Sequence, residues 1–129
     1  MQQVLREGSL VVEDMSVGTM QIGEVAKLTQ LSIRTIRHYD QVGLVPPSGR
    51  SEGGFRLYTE EDVTRLNHVR RITPLGFSLD ETAEILRVIE GEGDEAEVEN
   101  FLSRARVSRE KMARKLRQAD ELIEVLEQL

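Results

Sequence analysis

Residues 32–47 read SIRTIRHYDQVGLVPP. Arg34, Arg37 and His38 crowd onto this short, turn-flanked stretch of a chain whose formal net charge is −6. Ser32 is suited to accept a hydrogen bond from the backbone N–H groups exposed at a helix start, which predicts a helix from Ile33 onward. Helical spacing turns Ile33, Ile36 and Tyr39 inward and leaves Arg34, Thr35, Arg37 and His38 facing outward. Gly43 is placed to stop the helix.

Working outward, Ile22, Val25 and Ala26 follow the three-and-four spacing of a short amphipathic helix that ends near Thr29 and Gln30. Leu31 then plugs the turn. On the other side, PPSGRSEGGFRLY at 46–58 opens with prolines that prevent helix, and its Gly53–Gly54 pair suits a tight hairpin. Two short helices, a tight turn and then a ribbon form the winged helix-turn-helix layout, whose second helix enters the DNA major groove. Arginine forks take phosphate oxygens or guanine edges when they project unpaired from a rigid helix. Arg34 and Arg37 fit that requirement. On the ribbon, Arg50, Arg56 and Tyr58 flank the glycine turn, where a wing pressed on the DNA backbone uses charge and a phenolic donor. Arg70 and Arg71 extend the same face.

Each assignment has a plainer counterpart. Two arginines on an isolated helix are more often a solvated face, and it is the cap, turn and wing together that reverse this. Tyr39 reads equally as a core wedge or a DNA donor, and Arg56 as a wing brace held by a carboxylate or a DNA contact. His38 reads as a neutral hydrogen-bonding surface residue in preference to a pH sensor.

Composition narrows the alternatives. With 129 residues and a hydrophobic fraction of 39%, the chain has the size of one domain, or of one domain plus a long helix. Aromatic residues at 4% and charged residues at 31% favour helices with wet outer faces, so a mainly α fold is expected. The absence of cysteine excludes disulfides, thiolate metal sites and thiol redox chemistry, and two histidines are too few for a metal site, so no cofactor or metal is expected. No apolar run approaches a membrane span and the N-terminus lacks a signal-peptide pattern, which points to the cytoplasm, in association with the nucleoid.

The acidity is segmented. Residues 20–78 hold eight Lys or Arg against six Asp or Glu, whereas residues 79–103 hold one against nine. A polyanionic partner for the first segment is therefore compatible with the net charge, because placement matters more than the sum.

Further along, Thr59 with Asp62 and Ser78 with Glu81 match the reciprocal capping pattern at helix starts. The helix after Thr59 carries Val63, Leu66, Val69 and Ile72 until Pro74 and Gly76 interrupt it. The helix after Ser78 carries Leu79, Ile85, Leu86 and Ile89 until Gly91. GEGDEAEVEN at 91–100 reads as a solvated linker with acids near a helix start, not as a calcium loop, whose ligand spacing it lacks. From Val98 onward there is no glycine or proline. Leu102, Ala105, Arg109, Met112, Leu116, Ala119, Ile123 and Leu126 form a seam with alternating steps of three and four. A helix of that length, about 48 Å, cannot bury such a seam against a small domain and calls for a partner helix, so a homodimer is expected. Packing of the seam on the chain's own domain is the alternative. Ser108 and Lys111 form an S-x-x-K pattern without any oxyanion feature around it, and no catalytic residue is assigned.

Three segments, IGEVAKLTQLSIRTIRHYDQVGLVPP, GGFRLYTEEDVTRL and LGFSLDETAEIL, resemble the DNA-binding domain of MerR-type transcriptional regulators across about residues 20–89. The resemblance rests on several short signatures recurring in order, and it departs from the family at His38, commonly tyrosine, and at Pro74, in a segment usually helical. It implies a winged helix-turn-helix head at residues 20–90 and a coiled-coil dimerisation helix at 96–129, after a flexible leader at 1–19. By the same likeness, such regulators pair through an antiparallel C-terminal helix and bind palindromic promoters, which they bend and untwist for RNA polymerase. Matched position by position, Arg34, Thr35, Arg37, His38 and Tyr39 fall on the DNA-reading helix, and Arg50, Arg56 and Tyr58 on the wing. No sensing cysteine is present to match, and no separate effector domain is expected. An antiparallel pair centred near Arg114 brings Arg104 towards Glu124 and Arg109 towards Asp120, whereas a parallel pair sets like charges together. Two competing functions remain: a protein-interaction adaptor whose basic helix binds an acidic protein, and an enzyme with an acidic cleft.

Overall fold

A computed structural model describes residues 18–129, which divide into two compact units at Arg71 and Ile72. The expected leader therefore lies, but for Gly18 and Thr19, outside the described residues.

In the first unit, α1 spans Ile22–Thr29 and α2 spans Ile33–Gln41. The turn between them is set by Gln30, in the left-handed conformation with φ 61°, whose N–H still bonds to the Ala26 carbonyl. Thr29 is fully buried because its hydroxyl is served locally: it donates to the Val25 carbonyl at 2.8 Å and accepts from the Leu31 N–H at 3.3 Å. Ser32 caps α2 by accepting from the Thr35 N–H at 3.0 Å, as its position predicted. Ile36 and Tyr39 are buried, whereas Ile33, expected inside, remains 37% exposed because it sits in the first turn of the helix. Gly43, at φ 77°, and the N–H groups of Leu44 and Val45, both bonding to the Tyr39 carbonyl, end α2 in a tight reversal.

The ribbon follows as β1, Gly49–Arg50, and β2, Arg56–Leu57, antiparallel with Arg50 opposite Arg56. Its turn closes through the Ser51 N–H to the Phe55 carbonyl and the Gly54 N–H to the Ser51 carbonyl, with Gly54 at φ 83°. Met20 adds a bridge on the other side of Tyr58, exchanging both backbone hydrogen bonds with it at 2.8 Å.

Helix α3, Glu60–Ile72, begins with the predicted reciprocal cap: Asp62 accepts from the Thr59 N–H and Thr59 from the Asp62 N–H. The Asp62 carboxylate is only 2% exposed, and the Ser48 hydroxyl donates to it at 2.6 Å. A buried carboxylate needs such partners, since an unpaired one costs several kcal/mol.

In the second unit a 3-10 turn at Thr73–Leu75 carries Pro74 and ends at Gly76, where proline stops regular helix as expected. Helix α4, Leu79–Arg87, starts with the Ser78–Glu81 capping box. A π-turn, Val88–Glu92, with Gly91 at φ 95°, leads into α5, Glu95–Glu127. The stretch 91–100 is thus less of a linker than its composition suggested. Asp94 and Glu97 form a third capping box, so helix begins in the middle of it. Arg87 bonds both Glu97 and the Glu92 carbonyl, and Glu97 holds its guanidinium pKa above the usual value. Helices α4 and α5 belong to the same compact unit.

Over its 33 residues, about 50 Å of helix, α5 buries no residue fully. Leu116 is 64% and Ile123 53% exposed on the single chain. The reading of the seam as core for its own domain therefore does not hold for the distal half. Ser108 of the S-x-x-K pattern donates its hydroxyl to the Leu75 carbonyl at 2.9 Å and acts as a strut.

Candidate nucleic-acid interface

The backbone of α2 is anchored at both ends and on one face, and its opposite face carries the charge. Arg34, Arg37 and His38 are exposed, and with Thr35 and Gln41 they line an open depression of about 550 Å³. Neither Arg34 nor Arg37 has an ion-pair partner among the described residues. Thr35 is half-buried, and its hydroxyl oxygen accepts from Ser32 at 2.9 Å, which ties it to the cap and fixes its rotamer. Gln41 is a lining residue that the sequence did not single out, although it lies one turn beyond Arg37 on the same face.

The one carboxylate of the stretch, Asp40, does not serve these arginines. Its Oδ2 accepts from Arg56 Nε at 2.7 Å and from Arg50 Nη2 at 3.3 Å. The bracing of Arg56 through a carboxylate, one of its two readings, is what the structure shows. Arg50 also donates to the Gly54 carbonyl at 3.3 Å, while its side chain stays 49% exposed.

Two of the eight candidates, Tyr58 and Tyr39, are buried. Tyr58, the residue after β2, is fully buried and follows buried Leu57, so its phenol presents nothing to a ligand. Burial pushes its pKa up, and nearby Asp40 adds to the shift. Its hydroxyl has no hydrogen-bond partner among the described residues. Tyr39 is 9% exposed and belongs to the core, with its ring 5.9 Å from that of His38. Of its two readings the wedge is the one observed.

Comparison with known proteins bears on this arrangement. The sequence profile described as "MerR HTH family regulatory protein" matches residues 20–88. The chain belongs to the MerR family. Among MerR relatives, the HTH-type transcriptional regulator ZntR of Escherichia coli K12 is 45% identical over 67 residues, covering 52% of this chain and 48% of that protein. The chain thus spans about half the length of the curated MerR relatives it matches. A MerR family transcriptional regulator from Bacillus cereus is similar in structure, with TM-score 0.65 and 31% identity over 85% of this chain and 78% of that one. HiNmlR, a MerR family regulator lacking the sensor domain and bound to promoter DNA, aligns with TM-score 0.70 and 25% identity over 83% and 82% of the two chains. MerR proteins are transcription regulators, a class to which an enzymatic reading does not apply. Among the described residues no helix is long and apolar enough to cross a membrane.

Proposed function

We propose that the chain is a sequence-specific, DNA-binding transcriptional regulator in the cytoplasm, associated with the nucleoid, that binds a palindromic promoter operator as a homodimer and bends and untwists it for RNA polymerase. The observation that carries the reading is the pair Arg34 and Arg37. They project exposed and, among the described residues, without ion-pair partners from a capped helix whose other face is locked by buried Ile36 and Tyr39. Such a pair is pre-organised for phosphate or guanine without first breaking an internal bond. The likeness to HiNmlR, a regulator bound to promoter DNA, supports the same partner.

In this reading residues 20–90 form the reading head, with Arg34, Thr35, Arg37 and His38 at the groove and Arg50 at the flanking backbone. Residues 96–129 pair antiparallel about Arg114, which stacks Ala105 on Ile123 and Arg109 on Ala119, small against large. The exposed seam of α5 supports that pairing; the alternative, an adaptor using the basic helix and the coiled coil to bind an acidic protein, predicts indifference to duplex DNA.

Selection of bound duplexes from a random pool tests the proposal. A two-fold symmetric motif is the expected product, with affinity falling linearly in log salt by about 0.9 per phosphate contact. Recovery of no duplex, or of one without symmetry and salt dependence, would sink it. Arg34→Ala weakens binding to the recovered duplex by about 1–3 kcal/mol if that arginine reads a base.

A further inference from the structure

The ribbon places two cations face to face. Arg50 and Arg56 are directly opposed in the β1–β2 register, a like-charge pair that is destabilising unless an anion lies between its members. Asp40, the last acid of α2, supplies that anion with a single oxygen. The two arginines do not share it equally. Arg56 donates from Nε at 2.7 Å and is 23% exposed, whereas Arg50 reaches the same oxygen at 3.3 Å and is 49% exposed. The second bond of Arg50, to the Gly54 carbonyl, is equally long at 3.3 Å.

We infer that Asp40 sorts the wing arginines into two roles: Arg56 is a positioning residue that pins the wing to α2, and Arg50 is the phosphate-binding residue that leaves Asp40 when duplex DNA docks. The inference rests on the DNA-binding reading above and divides the labour within it. A short, charge-assisted bond in a partly buried setting holds its geometry, while a long and exposed one is exchanged for a phosphate at little cost. The exchange also removes the repulsion across the ribbon, because each cation then faces its own anion. Through Arg56, Asp40 fixes the distance from the charged face of α2 to the wing.

The number of cations engaged on phosphate is read from the slope of log affinity against log salt, a quantity that a purely structural role does not move. The probe is the duplex recovered from the random pool, titrated with the full chain and with Arg50→Ala, Arg56→Ala and Asp40→Asn. Arg50→Ala is expected to flatten the slope by about 0.9 and to leave the melting temperature in place. Arg56→Ala is expected to keep the wild-type slope and to melt several degrees lower, as is Asp40→Asn. Should Arg56→Ala not fold, Arg56→Gln, which keeps an N–H donor for Asp40 while losing the charge, is expected to retain the full slope. A flattened slope in either Arg56 variant, or an unchanged slope in Arg50→Ala, overturns the division of roles while leaving DNA binding intact. Absence of salt-dependent binding by the unaltered chain overturns the DNA reading, and this inference with it.

Discussion

The Arg104 guanidinium lies 5.0 Å from the centre of the Phe77 ring while donating a hydrogen bond to the Glu81 carboxylate. It also lies 5.7 Å from the Phe101 ring, which meets Phe77 edge-on. One side chain of α5 thereby touches the loop before α4 and the first turn of α4 itself. This is how a solvent-rich helix is tied down without burying a single residue fully. Each component is modest at an exposed site, and their convergence on one group supplies the anchorage.

Acid is expected to loosen this anchorage. The Ser78 backbone N–H, and after it the bond from Arg104, hold the Glu81 carboxyl below its usual pKa. A depressed folded value means that the contribution is fully present above the ordinary glutamate pKa and is lost as pH falls through the lowered one. In thermal melts across the acid range, Glu81→Gln should lose part of the decline that the unaltered chain shows. Arg104→Ala should melt a few degrees lower at neutral pH. Identical acid limbs for wild type and Glu81→Gln would remove Glu81 from this role.

Tyr58→Phe is expected to leave stability unchanged or raise it by up to about 1 kcal/mol, because a buried hydroxyl without a partner gains nothing to offset its desolvation. Affinity for the selected duplex should stay at the wild-type value. A marked loss of binding with unaltered melting would return Tyr58 to the interface.

Gly93 is required for room. A Cβ there would meet Val88 Cγ2 at 2.6 Å, closer than two carbons approach. Gly93→Ala should cost about 1–3 kcal/mol, the usual penalty for overpacking, measured by denaturant unfolding. Pairing it with Val88→Ala should recover part of that loss, since the clash lies with that side chain.

Leu116→Glu places a charge in the middle of the exposed α5 seam. Sedimentation should show a homodimer for the parent and a monomer for the variant, since a carboxylate buried in the apolar seam carries a desolvation penalty and removes the leucine packing. The helical signal of the first unit should persist. A parent chain that sediments as a monomer would end the antiparallel pairing.

Much of the architecture was legible in the residues because its signals are local. Ser32, Thr59 and Ser78 each announce a helix start through hydrogen bonds that reach three residues along the chain. Pro74 and Gly76 announce an ending by what their backbones forbid, and the outward cations of α2 follow from helical period alone. Relations spanning many residues were not legible. Asp40 looks, in the linear chain, like a neighbour of Arg37, three positions away; folded, it holds Arg56, sixteen positions away. Tyr58 stands close to exposed wing residues in sequence and is buried, because burial depends on what the rest of the unit packs over that position. Short-range hydrogen bonding and periodicity are written in residue order, whereas ion pairing and burial depend on distances through space that the packing of the elements sets.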